Sequence, residues 1–120
     1  FLFDSMEVDS MLEERVRVAN LLDIYGMLLT EKQRRILARY MLEDYSLGEI
    51  AEEEGISRQA VHESVKRGLH SMEEYEKSLG LMSKEIEQKE LFEKIYQFVS
   101  SEKPEKRQQG LELLERLIKS

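Results

Sequence analysis

Apolar residues recur every three or four positions along most of the chain, which is the spacing of amphipathic helices. This pattern predicts a first helix over about residues 9–26. Its apolar positions are Met11, Leu12, Val16, Val18, Ala19, Leu22, Tyr25 and Met27. No segment alternates apolar and polar residues with the period of two that marks a half-buried strand, so we expect an all-α bundle of about six helices.

Paired capping residues mark the starts of the next two helices. Thr30 followed by Gln33 has the form of a capping box and predicts a second helix over about residues 31–43. Ser46 followed by Glu49 repeats the pattern and predicts a short third helix. In both cases a side-chain oxygen is available for backbone N–H groups that a first helical turn leaves unbonded.

A glycine and a serine separate the third helix from the fourth. Gly55 stands where a left-handed C-cap belongs, and Ser57 is a natural N-cap for the helix that follows. That fourth helix is predicted to continue to about residue 79 and to end at Gly80. Its apolar positions are Val61, Val65, Leu69 and Met72.

The C-terminal third of the chain predicts two further helices. The fifth covers about residues 83–100, and Pro104 fits the first turn of a sixth helix capped by Ser101 or a residue near it. The candidate apolar positions of the fifth helix are Ile86, Leu91, Ile95, Phe98 and Val99. Those of the sixth are Leu111, Leu114, Leu117 and Ile118.

Residues 47–72 have the form of a helix-turn-helix unit. Two helices that cross at a steep angle need a small residue at their contact, which Ala51 supplies, and a turn residue that tolerates positive φ, which Gly55 supplies. Ser57 caps the second helix and leaves the positive end of its dipole able to approach a phosphate or the major groove. The predicted helix-turn-helix domain covers residues 6–80.

The face of the fourth helix opposite its apolar row carries side chains that can contact nucleic acid. Gln59 can pair with an adenine edge, Glu63 can accept a hydrogen bond from cytosine, and Lys66 and Arg67 can bind phosphate or guanine. The candidate nucleic-acid-binding residues of this unit are Ser57, Arg58, Gln59, His62, Glu63, Lys66 and Arg67, with His70 on the same face.

A second basic cluster lies on the second helix and comprises Arg34, Arg35 and Arg39, with Lys32 beside them. The three arginines could grip phosphates next to the helix-turn-helix unit. They could equally form surface ion pairs with Glu31, Glu43 or the acidic run over residues 52–54, each contributing little to stability. The sequence leaves both interpretations open, and we include the arginines among the candidate nucleic-acid-binding residues.

The 120-residue chain has a formal net charge of −7 and no cysteine. The charge opposes nucleic acid as the only partner, because duplex affinity rests on Lys and Arg neutralising phosphates. The lack of cysteine excludes disulfides, thiol chemistry and thiolate zinc sites. His62 and His70 do not have the i, i+4 spacing of a helical metal pair. We therefore expect no metal and no cofactor.

The same sequence gives no sign of catalysis or of a membrane segment. Its carboxylates lie on ordinary helix faces beside lysines, not as a pair held in a pocket, so we expect no catalytic residues and no enzyme activity. No apolar run is long enough to span a bilayer, and the N-terminus lacks the features of a signal peptide. We expect a cytoplasmic protein, and we interpret residues 1–5, which precede Met6, as vector-derived.

Several segments resemble known families. Residues 29–33 (LTEKQ), 49–51 (EIA) and 55–61 (GISRQAV) resemble the promoter-reading fourth region of bacterial sigma factors. The overall length, the stretch RVANLLDIYG at residues 17–26 and the helical tail more closely resemble the YlxM family of helix-turn-helix proteins, over nearly all of residues 6–120.

The YlxM resemblance implies a bacterial cytoplasmic regulatory protein without catalysis, linked to the signal recognition particle because its gene lies beside that of the particle's GTPase. The sigma-like resemblance implies base and phosphate contacts at Arg58, Gln59, Ala60 and Glu63. Ala60 and Glu63 depart from the longer, polar or basic residues usual in sigma factors, so promoter recognition of the sigma kind is not expected.

The helical extension over residues 81–120 could fold onto the core or form a dimer surface. Phe92 and Tyr96 make a second apolar row beside Ile95 and Val99, wider than one packed face needs. Helix-turn-helix proteins commonly pair across a two-fold axis, so we expect a homodimer, for which the first helix could serve equally well.

We therefore predict an all-α, helix-turn-helix regulatory protein that binds DNA or RNA and acts in the signal recognition particle pathway. The alternative is an adaptor whose acidic surface and helical tail bind a basic protein or a ribonucleoprotein, with the helix-turn-helix as scaffold.

Overall fold

The structure is a computed structural model that describes residues 2–120, with side chains described from residue 10 onward. Its α-helices are α1 (Leu2–Tyr25), α2 (Glu31–Met41), α3 (Leu47–Glu54), α4 (Arg58–Leu79), α5 (Leu81–Val99) and α6 (Pro104–Lys119). A 3₁₀ turn, Gly26–Leu28, joins α1 to α2. Over the described residues no strand occurs, and the predicted all-α fold is confirmed.

Both predicted capping boxes are present. The hydroxyl of Thr30 accepts a hydrogen bond from the Gln33 backbone N–H (3.1 Å), and the Gln33 side chain accepts one from the Thr30 backbone. Ser46 and Glu49 make the same two bonds, at 3.0 and 3.1 Å. These reciprocal bonds place the starts of α2 and α3 where the sequence predicts them.

The predicted glycine caps are also confirmed. Gly55 ends α3 with φ +68° and Gly80 ends α4 with φ +63°, both in the left-handed region that favours glycine. Ser57 is the N-cap of α4, because its hydroxyl accepts a hydrogen bond from the Ala60 backbone N–H at 3.0 Å.

Three predicted boundaries are wrong. α1 begins at Leu2 and not near residue 9, since neither glycine nor proline interrupts the intervening residues. α2 ends at Met41, because Asp44 adopts φ +59° and the Tyr45 backbone N–H bonds back to the Arg39 carbonyl at 3.0 Å.

The third correction concerns the start of α5, which begins at Leu81 directly after Gly80 and not near residue 83. For α6 the N-cap is Lys103, close to Ser101 as predicted; it makes no side-chain capping bond, and Pro104 opens the helix as predicted. The Ser101 hydroxyl instead accepts a hydrogen bond from the Lys103 backbone N–H at 3.2 Å. The prediction that residues 1–5 are vector-derived concerns a segment outside the residues whose side chains are described.

The chain divides into two compact units, Phe1–Met82 and Ser83–Ser120. In the first unit, buried apolar side chains from α1 to α4, with Met82, form one core. Its members are Val18, Leu21, Tyr25, Ile36, Leu37, Ile50, Ala51, Val61, Val65, Met72 and Met82. In the second unit, Ile95 and Gly110 are buried.

Several residues predicted as buried apolar positions are exposed. On α1 these are Met11, Leu12 and Val16, which precede Val18, the first described residue of that helix in the core. Met27 is 81% exposed because the chain has left the α1 helix by then and forms the 3₁₀ turn. In the second unit Ile86, Val99, Leu111, Leu114, Leu117 and Ile118 are exposed.

Gly68 lies where α4 packs closely against α2. A Cβ atom at this buried position would come within 2.4 Å of Leu37 Cδ1, and Leu37 is itself fully buried. Glycine at this position therefore lets the two helices approach at this distance. The contact holds α4 against α2 on the side opposite its exposed residues.

The C-terminal end of α4 is held by a buried carboxylate. Glu76 accepts hydrogen bonds from the Tyr25 hydroxyl (2.7 Å) and from the Met82 backbone N–H (2.8 Å). The Tyr25 hydroxyl in turn accepts one from the Leu81 backbone N–H at 3.2 Å. Burial, followed by the hydrogen bond to Glu76, raises the pKa of Tyr25 above its ordinary value.

Candidate nucleic-acid interface

The helix-turn-helix unit is closed by one turn around Gly55. The Ile56 backbone N–H bonds to the Ala51 carbonyl at 3.1 Å, and Ala51 itself is buried against the core. Ile56 packs on the same core, so the turn between α3 and α4 is anchored on both sides. Gly55 in the turn, Ser57 at the N-cap and Ala51 at the contact between the helices all occupy the places that the sequence predicts.

One side of α4 is buried and the opposite side is exposed. Val61, Val65, Gly68 and Met72 face the core. Among the exposed polar or charged residues of α4, six are given the name α4 face: Gln59, His62, Glu63, Lys66, Arg67 and His70. A helix fixed by its apolar side presents these groups to solvent at the 3.6-residue period of the helix.

Arg58, the first residue of α4, lies across the start of α3. Its guanidinium atoms are 3.0 to 3.2 Å from the point where a Cβ on Gly48 would stand. Gly48 therefore leaves the space that the guanidinium occupies beside the α4 N-terminus. The sequence does not predict this proximity of Gly48 to Arg58, because the apolar and capping pattern of α3 gives Gly48 no special role.

A groove of about 460 Å³ runs between the start of α2 and the α4 face. Lys32 and Arg67 stand among its walls as the basic groups, and Glu63 as the acidic one. Its remaining lining residues are Thr30, Gln33, Ile56, Ala60 and Ser64. Lys32 also belongs to the candidate interface, although its position in the sequence does not predict this, since the packing of α2 on α4 places it on the same groove as Arg67.

Two of the α2 arginines are paired with the acidic run of α3. Arg35 donates two hydrogen bonds to the Glu54 carboxylate, at 2.6 and 2.8 Å, and Arg39 is bonded to Glu53. Arg39 also lies 5.6 Å above the centre of the Tyr45 ring. Of the two interpretations that the sequence left open, the ion pairs describe Arg35 and Arg39 in this structure.

Arg34 is placed differently from its neighbours. Its aliphatic carbons lie 3.4 to 3.8 Å from the point where a Cβ on Gly26 would stand, and the side chain lines a groove of about 630 Å³ between α1 and α2. The three arginines thus do not converge on one point. Among the described side chains, no hydrogen bond or ion pair joins these arginines to the α4 face.

The pairing changes the electrostatics around the helix-turn-helix unit. The hydrogen bonds from Arg35 hold the pKa of the Glu54 carboxyl below its ordinary value, and the same bonds raise the pKa of Arg35. Glu53 and Glu54 therefore meet neighbouring cations. The acidic run over residues 52–54 therefore repels an approaching phosphate less strongly than its sequence alone suggests.

The described part of the chain has neither a membrane-spanning helix nor a cluster of metal ligands. Its helices include none long and apolar enough to cross a membrane. Nowhere in it do three or more His, Cys, Asp or Glu residues stand close enough together to hold a metal ion.

Comparison with known proteins gives one consistent result. Residues 12–112 match the family UPF0122, described as "Putative helix-turn-helix protein, YlxM / p13 like". The chain is 45% identical over 107 residues to the UPF0122 protein YlxM of Bacillus subtilis strain 168, covering 88% of this chain and 97% of that protein. It is also 45% identical over 109 residues to UPF0122 proteins of Bacillus cereus strain AH187 and Bacillus anthracis strain A0248, covering 89% of this chain and 99% of each.

Proposed function

Because the chain belongs to the UPF0122 family of YlxM/p13-like helix-turn-helix proteins, we propose that it is a regulatory protein that binds nucleic acid through the α4 face. The observation that carries this proposal is the placement of Gln59, Lys66 and Arg67 on the solvent side of a helix whose other side is locked into the core. An exposed helix with this support is the element that helix-turn-helix proteins insert into a groove.

The groove beside the α4 face supports a phosphate contact. Lys32 from α2 and Arg67 from α4 line the same groove, so two cations from different helices can approach the phosphates of one nucleic-acid strand. Arg58 adds a guanidinium next to the α4 N-terminus, where the helix dipole favours an anion. Phosphate contacts of this kind set affinity and orientation, and Gln59 is the side chain best suited to read a base edge.

The finer parts of the proposal follow from the family and from the sequence. We place the protein in the bacterial cytoplasm, without enzyme activity, acting on a process of the signal recognition particle as a homodimer. The resemblance to the YlxM family carries the pathway, and the pairing habit of helix-turn-helix proteins carries the dimer. DNA and RNA are both admissible ligands, since exposed Lys and Arg side chains bind the phosphates of either.

A salt titration of binding tests the proposal. The full chain is titrated into a labelled DNA duplex and a labelled RNA hairpin, with fluorescence anisotropy measured at several salt concentrations. If phosphate contacts drive binding, affinity must fall as salt is added. A plot of log affinity against log salt concentration is then linear, with a slope of about −0.9 for each phosphate contacted on a duplex.

Absence of binding to both nucleic acids at the lowest salt would overturn the proposal. In that case the acidic adaptor becomes the better description, and retention of a basic protein or ribonucleoprotein on the immobilised chain would support it. Binding that does not change with salt would also contradict phosphate contacts as its basis.

A further inference from the structure

The exposed side of α5 carries two aromatic rings one turn apart. Phe92 is 55% exposed and Tyr96 is 74% exposed. A shallow groove of about 770 Å³ runs along this side of the helix, lined by both rings together with Lys89 and Glu93. Two large rings held in water on one helix face are unusual for a surface that has no partner.

The unit that carries these rings has little core of its own. Among the residues of Ser83–Ser120, only Ile95 and Gly110 are buried. Gly110 is the point where α6 meets α5, since a Cβ there would lie 2.9 Å from both Phe98 Cβ and Val99 Cγ2. A pair of helices with so few buried side chains needs further apolar contacts to be stable.

The charges beside the rings are available for a partner. Lys89 and Glu93 are both exposed, and among the described side chains neither forms an ion pair within the chain. They are four residues apart and so lie on the same flank of the aromatic row. When two copies of such a surface run in opposite directions, the cation of each copy can lie opposite the anion of the other.

We propose that the α5 surface formed by Phe92, Tyr96, Lys89 and Glu93 pairs with the same surface of a second copy of this chain, with the two α5 helices antiparallel. Under a two-fold axis perpendicular to both helices, each flank faces the same flank of the partner. If the two-fold axis crosses α5 midway between Lys89 and Glu93, Lys89 of each copy lies opposite Glu93 of the other. Phe92 lies about 1.5 Å along the helix from this midpoint, so the two Phe92 rings meet at the axis.

A competing exposed apolar patch exists on α1, formed by Met11, Leu12 and Val16. The cations of that segment are already engaged: Arg15 bonds to the Leu42 carbonyl at 2.9 Å and Arg17 to Glu73 at 2.6 and 2.8 Å. Two copies meeting there would bring acidic side chains together without free cations to match them. The charge pattern therefore favours α5 over this α1 patch.

This inference deepens the homodimer part of the proposed function. Its test is analytical ultracentrifugation of the full chain and of four single variants and one double variant. Lys89→Glu and Glu93→Lys each replace two attractive pairs with two repulsive ones, and we expect each to weaken the dimer at least about tenfold. The double variant Lys89→Glu/Glu93→Lys restores both pairs with the signs exchanged, and we expect its dimer constant within about threefold of the parent's.

Two matched controls change the same kinds of charge on the opposite side of α5. Glu90→Lys and Lys94→Glu lie about 160° around the helix from Phe92 and are both exposed. We expect neither to change the dimer constant more than about twofold, because neither faces the partner. Circular dichroism of every variant verifies that the helices remain folded.

The outcomes separate two failures. A parent chain that is monomeric at every concentration overturns both this inference and the homodimer. A dimer that survives Lys89→Glu and Glu93→Lys unchanged overturns only the α5 surface and leaves the homodimer standing. A double variant as weak as the singles overturns the antiparallel pairing, since no charge match is then restored.

Discussion

Arg35 and Glu54 form a two-bonded ion pair that ties the middle of α2 to the last turn of α3. The guanidinium donates from Nε at 2.6 Å and from its terminal nitrogen at 2.8 Å to the two carboxylate oxygens, and the Glu54 side chain is only 10% exposed. This fork-to-fork geometry is the strongest form of the pair. It makes Arg35 part of the structural link between α2 and α3 of the helix-turn-helix unit.

The Glu54 carboxyl is expected to titrate below its ordinary pKa of 4.5, because Arg35 donates hydrogen bonds to its charged form. Replacement of Arg35 by alanine should raise that pKa, as read from the carboxyl ¹³C shift of Glu54 in an NMR titration. A depressed pKa contributes stability that is present above pH 4.5 and is lost as the pH falls through the depressed value. The stability difference between parent and Arg35→Ala should therefore shrink in acid.

Arg34→Ala is the control for that titration, since Arg34 forms no ion pair with a described side chain. It should leave the Glu54 pKa where the parent has it. A parent in which Glu54 titrates at its ordinary value would contradict the pairing.

Removal of Lys66 and Arg67 together should weaken nucleic-acid binding without unfolding the chain, because both side chains are exposed on α4. If each contacts one phosphate, the slope of log affinity against log salt becomes less steep by about two. The matched control is the double variant Lys106→Ala/Arg107→Ala, which removes an adjacent Lys and Arg from the exposed side of α6. An equal loss in both variants would mean that net charge, and not the α4 face, governs binding.

The helix-turn-helix unit could be predicted in detail because its determinants are local. The capping boxes at Thr30 and Ser46 and the turn at Gly55 each depend on bonds within a few residues, and sequence spacing reports such bonds directly. The end of α2 was missed because Asp44 takes a left-handed conformation that glycine more often adopts.

The candidate site was less predictable, since its geometry depends on contacts between helices. Nothing in the spacing of Arg35 and Arg39 distinguishes a free cation from one paired to Glu54 or Glu53 in another helix. Lys32 belongs to the groove only because α2 packs closely on α4. The exposure of Met11 and Val16 likewise follows from where the core ends, which periodicity does not report.

Gly48→Ala is expected to displace the Arg58 guanidinium, because the added Cβ would stand 3.0 to 3.2 Å from three of its atoms. Arg58 is exposed and its guanidinium is the far end of a long side chain, so we expect the side chain to move and the fold to stay unchanged. Stability should stay level or rise by up to about 1 kcal/mol from helix propensity. Nucleic-acid affinity should fall, as measured by anisotropy at constant salt.

A double-mutant cycle with Arg58→Ala checks the cause of that fall. If Gly48→Ala acts by moving Arg58, it should have no further effect on affinity in the Arg58→Ala background. Additive losses would show that Gly48 acts through something other than Arg58.

Gly68→Ala should destabilise the first unit by about 1–3 kcal/mol, because the new methyl group would overlap the buried Leu37 side chain. Helix propensity acts in the opposite direction by about 1 kcal/mol and is the smaller effect. Urea unfolding monitored by circular dichroism measures the difference. An alanine variant as stable as the parent would mean that α2 and α4 can separate without loss.

The contact between Leu37 and Gly68 also predicts how these two positions vary among homologous chains. Any relative that lengthens the side chain at position 68 must shorten the one at position 37, or shift α2 away from α4, to keep the two helices in register. The two sites should therefore change together among homologous chains, with a large residue at one accompanied by a small residue at the other. Paired substitution at these positions would show that homologues maintain the spacing between α2 and α4, and with it the groove that Lys32 and Arg67 line.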